Sequence, residues 1–144
     1  MMRLIACWGW NYDGQAPPDG VPGNFVAIAA GLYHSIALRR DGRIACWGEN
    51  DHGQAPPAGV DGDFVAIAAG SAHSIALRRD GGIACWGSNG SDQAPPDGVE
   101  GDFMAIAAGI YHSLALRRDG SIACWGDNDH GQAPPAGVAG PFDV

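Results

Sequence analysis

The chain has 144 residues, 46% of them apolar, and a net charge of −8 at pH 7, which fits one domain with its own core. All eight cations are Arg and no basic run occurs, so nucleic acid, whose binding rests on phosphate neutralisation, and anionic membrane surfaces are both disfavoured as partners. No stretch approaches the roughly 20 consecutive apolar residues of a membrane-spanning helix.

The N-terminal residues Met-Met-Arg-Leu-Ile-Ala-Cys-Trp-Gly-Trp carry one Arg and no long apolar run. They do not read as a signal peptide, and the cytoplasm is the expected compartment. Residues 3–9 read as a single strand ahead of a Gly- and Pro-rich polar stretch. Phe25 to Ala30 is a short apolar run ended by Gly31, the pattern of a strand buried on both faces. His34 to Arg40 reads as a second strand whose last residues reach water. Asp41-Gly42 is a two-residue hairpin signal, because Gly tolerates positive φ and Asp can bond its own backbone. Arg43 to Trp47 is the return strand, ended by Gly48, and a polar stretch from Glu49 to Asp63 follows. Gly or Pro interrupts every window of helical length, so helix is nearly excluded.

The rest of the chain repeats this plan. Ala-Cys-Trp-Gly occurs four times, with Cys7, Cys46, Cys85 and Cys124 spaced 39 residues apart. Ala-Ile-Ala-Ala-Gly recurs at 27–31, 66–70 and 105–109, and Gln-Ala-Pro-Pro at 15–18, 54–57, 93–96 and 132–135. Full repeats occupy 24–57, 63–96 and 102–135, and residues 141–144 read as the start of another first strand. A sheet this small and apolar on both faces is not stable alone, and radial stacking of copies buries both faces. The expected fold is therefore all-β: a β-propeller of short three-stranded antiparallel blades, with about three full blades and split terminal strands in the chain. Trp8, Trp47, Trp86 and Trp125 are expected to wedge between blades. The four Cys read as small buried apolar residues rather than disulfide partners or metal ligands.

The run Phe-Val-Ala-Ile-Ala-Ala-Gly-x-x-His-Ser-Ile-Ala-Leu-x-x-Asp-Gly-x-Ile-Ala-Cys-Trp-Gly-x-Asn-x-x-Gly-Gln resembles the repeat of the regulator of chromosome condensation family. The resemblance covers essentially the whole chain. The short repeat and Pro-containing return loop look most like the β-lactamase-inhibiting propellers of that superfamily. The resemblance implies a closed ring whose members bind proteins through loops on one face. Propellers close with roughly four to eight blades, more than one such chain holds. Two copies of 144 residues supply a number of units in that range, so a homodimer completing the ring is the favoured assembly.

Identical repeats need identical core residues, so positions that differ between units mark the exposed ones. After the third strand, Trp10, Glu49, Ser88 and Asp127 share one position; Tyr12, Asp51, Gly90 and Asp129 share the next; Asp13, His52, Ser91 and His130 share a third. The loop after the first strand varies as Leu32-Tyr33, Ser71-Ala72 and Ile110-Tyr111. A binding patch is expected from Trp10, Tyr12, Tyr33 and Tyr111 with Glu49, Asp51, His52, Asp127, Asp129 and His130, because exposed aromatics anchor protein interfaces. His34, His73 and His112 read as structural imidazoles bonded to a neighbouring loop. Asp127 to Gly131 faintly resembles a calcium loop but lacks the later bidentate Glu, so no metal is expected. No nucleophile elbow, phosphate-binding loop or metalloprotease motif occurs; no catalysis and no cofactor are expected. The leading expectation is a protein-binding scaffold with an unidentified protein partner. A self-assembling fragment or designed repeat without a ligand, an inhibitor of a secreted enzyme such as a β-lactamase, and a sugar-binding propeller are the alternatives.

Overall fold

The computed structural model describes residues 3–140; the expected first-strand start at 141–144 lies outside the described residues. Strands β1 (Leu4–Ile5) and β2 (Val21–Pro22) form a two-stranded pair. Three sheets follow, each a three-stranded antiparallel meander. They are β3 (Phe25–Ala30), β4 (His34–Arg39) and β5 (Ile44–Gly48); β6 (Phe64–Ala69), β7 (His73–Arg78) and β8 (Ile83–Gly87); β9 (Phe103–Ala108), β10 (His112–Arg117) and β11 (Ile122–Gly126). All regular elements among the described residues are strands.

Alternation along the middle strand decides how the sheets stack. In His34-Ser-Ile-Ala-Leu, Ile36 and Leu38 point to one face, Ser35 and Ala37 to the other. Ile36, Leu38, Ile44 and Cys46 of one sheet bury themselves against Phe64, Ala76, Ala84 and Trp86 of the next. Ile75, Leu77, Ile83 and Cys85 meet Phe103, Ala115, Ala123 and Trp125 in the same way one unit further on. Large residues on one face thus meet Ala set between Phe and Trp on the facing one, and small Ala lets the sheets approach closely. Each fully buried Ile or Phe contributes about 2 kcal/mol, so the cores lie between sheets and each sheet depends on its neighbour.

Two local readings need correction. The first strands are not buried on both faces: Val26, Val65 and Met104 are exposed. The register shifts at each of these positions, with Phe25 and Ala27, Phe64 and Ala66, and Phe103 and Ala105 pairing on either side of it. The skipped residue is the extra one of a β-bulge, left unpaired and turned from the interface. The hairpin turn also has three residues rather than two. Arg39 N–H donates to the Arg43 carbonyl at 2.8 Å and Gly42 N–H to the Arg39 carbonyl at 3.0 Å, with Gly42 at φ 93°. That is a type I turn closed by a left-handed Gly, and the Asp41 carboxylate accepts from Arg43 N–H at 3.0 Å.

The return stretch adds a fourth, single-residue contact to each blade: Val60, Val99 and Val138 bridge Ile44, Ile83 and Ile122. The pairing of Ile5 with Val21 is the same contact one repeat earlier, so 3–23 carries the outer part of a preceding blade.

Candidate functional site

The blades have two ends. The hairpin end holds the turns between the second and third strands. The loop end holds the turns after the first strand and the loops after the third. Backbone bonds fix the second kind of end. Glu49 N–H donates to the Tyr33 carbonyl and Asp127 N–H to the Tyr111 carbonyl, both at 2.9 Å, so an acidic residue stands beside an aromatic one in the first and third full units. Within each loop the Asn side chain accepts from the backbone five residues on, as Asn50 does from Ala55 N–H at 2.9 Å. Gln54 Oε1 accepts from His52 N–H at 2.9 Å, and Gln132 Oε1 does so from His130 N–H at 2.9 Å. Asn128 accepts likewise from Ala133 N–H, and Asp127 accepts from Asp129 N–H. The oxygens of the calcium-like run therefore serve its own backbone.

The loops of successive units are tied together. Trp47 Nε1–H donates to the Gln15 carbonyl at 2.9 Å, Trp86 to Gln54 at 3.0 Å, and Trp125 to Gln93 at 2.9 Å. These three indoles lie half-buried between blades. Trp8 does not wedge: it is 85% exposed.

Behind the loops, His34 Nε2 lies 2.9 Å from Ser74 Oγ and His73 Nε2 lies 2.9 Å from Ser113 Oγ. Each Ser gives its single proton to a Gln carbonyl, Ser74 to Gln54 and Ser113 to Gln93. The Ser oxygen must then accept, so Nε2 carries the imidazole proton and the buried Nδ1 has no partner. Burial lowers the His34 pKa to about 4, with the His73 charge adding to it, and burial lowers that of His73. The partner of each imidazole is thus the middle strand of the next blade rather than a loop. His112, the third of the set, is half-buried. Burial also pushes the Cys46 and Cys85 thiols up to about 12, which suits packing rather than nucleophilic chemistry.

Of the expected patch, Trp10, Tyr12 and Tyr33 come together: Trp10 meets Tyr12 edge-on with centroids 6.4 Å apart and Tyr33 edge-on at 5.6 Å. Tyr111 stands apart, two units along. Tyr111 lines a groove of about 530 Å³, floored by Gly31, Gly70 and Gly109 and walled also by Leu32 and Ile110. It runs along the first loops, which are joined by Leu32 N–H to the Ser71 carbonyl at 3.1 Å and Ser71 N–H to the Ile110 carbonyl at 3.4 Å. Leu32 is 61% and Ile110 63% exposed. Sequence reasoning missed both, although they sit at the varying positions beside Tyr33 and Tyr111. Glu49 and Asp127 are half-buried beside this line, while Asp51, His52, Asp129 and His130 lie further out and exposed.

Stacked antiparallel meanders, each closed against the next by Trp and His, define a sector of a β-propeller. The regulator of chromosome condensation (RCC1) repeat matches at residues 25–54, 64–93 and 105–132, and the chain belongs to that family. No curated protein matches it. Among solved structures it is similar to yeast RCC1 (Prp20) bound to Kap60, at 24% identity and a TM-score of 0.67 over 84% of this chain and 39% of that one. It is also similar to the ectodomain of the Physcomitrella patens receptor kinase CR4, at 29% identity and a TM-score of 0.68 over 86% of this chain and 36% of that one. The ectodomain of the Arabidopsis thaliana receptor kinase ACR4 matches at 26% identity and a TM-score of 0.66, over 94% of this chain and 46% of that one. The chain spans less than half the length of each. The likeness to β-lactamase-inhibiting propellers finds no support in these comparisons.

Proposed function

We propose that the chain is a non-enzymatic scaffold that binds a protein partner through the loop end of its blades. One observation carries this reading: the positions at which the units differ hold an aromatic trio, exposed Trp10 and Tyr12 with half-buried Tyr33, at the same end of the blades as an apolar groove. Rigid aromatics over a fixed framework are the usual anchors of protein interfaces. A photocrosslinking residue at Tyr12, compared with one at Asp41 on the hairpin end, tests it. A partner captured from position 12, not from 41, and lost when Trp10 and Tyr111 become Ala, supports the reading. Capture from the hairpin end alone overturns it.

Self-association is a second reading, favoured by the two uncovered sheet faces. Ile28 is 67% exposed, whereas its equivalents Ile67 and Ile106 pack between blades. At the other side Leu114, Leu116 and Ile122 are only half-buried, whereas Ile75, Leu77 and Ile83 are buried. The internal interfaces are a template for joining these faces in a second copy, the dimer being favoured. Light scattering checks it: a strict monomer at micromolar concentration excludes the dimer, and Ile28→Asp is expected to dissociate one.

A further inference from the structure

We propose that the loop-end groove takes an extended segment of a partner protein that carries basic side chains beside apolar ones. The inference rests on reading the loop end as the binding face and adds the chemistry of what binds there.

The groove supplies the apolar half of the argument. Leu32, Ile110 and Tyr111 are exposed and wall one continuous furrow across three units. Burying such side chains is favourable in proportion to the area covered. A shallow furrow that crosses successive loops offers a chain in extended form a series of apolar contacts.

Charge supplies the other half. All eight cations sit at the hairpin end. Arg39, Arg40 and Arg43 flank the first turn, and Arg78, Arg79, Arg117 and Arg118 flank its repeats. Arg3 reaches Asn24 at 3.4 Å on that same end. There Asp41, Asp63 and Asp102 answer them as ion pairs with Arg43, Arg79 and Arg118. The loop end carries Asp13, Glu49, Asp51, Asp92, Asp127 and Asp129, and no Arg or Lys among the described residues. Glu49 and Asp127 are held against the aromatic line by their backbone bonds to Tyr33 and Tyr111. The acid excess of the molecule is therefore concentrated at the end of the blades that carries the apolar furrow. A partner with acidic side chains meets like charge there, and one with Lys or Arg meets opposite charge, which sets partner choice and encounter rate.

Three synthetic peptides of about twelve residues, a length that spans such a groove, test the inference by calorimetric titration into the full chain. They alternate Leu with Lys, Leu with Ser, or Leu with Glu. The Lys peptide is expected to bind about tenfold more tightly than the Ser peptide, to weaken as salt is added, and to outbind the Glu peptide further. Leu32→Ser with Ile110→Ser is expected to remove binding. Glu49→Gln with Asp51→Asn, Asp127→Asn and Asp129→Asn is expected to equalise the Lys and Ser peptides with the melting temperature unchanged. If the Ser or Glu peptide binds as tightly as the Lys peptide, and Leu32→Ser with Ile110→Ser still removes binding, the charge assignment is overturned and the loop-end reading stands. If no peptide binds, or binding ignores those two substitutions, both are overturned.

Discussion

At the hairpin end every full unit repeats the same Arg-Arg-Asp-Gly turn, and at the loop end the units differ. The turns Arg39-Arg40-Asp41-Gly42, Arg78-Arg79-Asp80-Gly81 and Arg117-Arg118-Asp119-Gly120 are identical, and Asp41, Asp63 and Asp102 pair there with Arg43, Arg79 and Arg118. The loop end varies in aromatic, apolar and acidic residues over an invariant floor of Gly31, Gly70 and Gly109. One end of the stack is electrostatically balanced framework. The other is framework beneath and unbalanced, variable surface above. The boundary runs through the His–Ser–Gln chain, which is where stability and surface meet.

The boundary breaks most severely at the floor. A β-carbon on Gly70 collides with the His73 ring and comes within 2.5 Å of the Gly109 carbonyl. Gly70→Ala is expected to cost about 3 kcal/mol, the upper range for overpacking, read from urea denaturation. Acid attacks the same boundary. The His34 pKa falls from an ordinary 6.5 to about 4 in the fold, so the unfolded chain takes up the proton first. Stability is then full above pH 6.5 and declines toward pH 4, by about 3 kcal/mol for this residue. His34→Asn is expected to flatten that slope in melts recorded across the window.

Smaller changes sharpen the contrast between the ends. Asp92 adopts φ 61°, where the other units place Gly14, Gly53 and Gly131. A non-Gly residue there carries a left-handed penalty, so Asp92→Gly is expected to raise stability by about 1 kcal/mol in thermal melts. At the hairpin end the Arg79–Asp63 pair at 2.9 Å is exposed. Arg79→Ala is expected to cost about 0.5 kcal/mol, and added salt is expected to erase the difference.

The repeat, the strands and the propeller class were legible in the sequence because stacked blades impose one residue pattern every 39 positions. Alternation in Ser35-Ile36-Ala37-Leu38 gave the two faces of the sheet, and the structure places large side chains on one and Ala on the other. The bulges at Val26, Val65 and Met104 were hidden, since a skipped residue inside an apolar run leaves the run apolar. The aromatic trio was half legible. Trp10 and Tyr12 announced themselves as variable aromatics, but their contact with Tyr33 depends on how two loops of different units meet.

What the amino-acid order alone determined is the blade and its need for neighbours, because periodicity, turn residues and apolar alternation are local properties. What only the tertiary structure decided is which residues share an end. Leu32 and Ile110 are ordinary apolar residues in sequence and become groove walls only when three first loops stack. The carboxylates are scattered along the chain, and antiparallel strands bring six of them to the loop end while carrying all eight Arg to the other end. Strand direction, which no single residue encodes, sorts the charge.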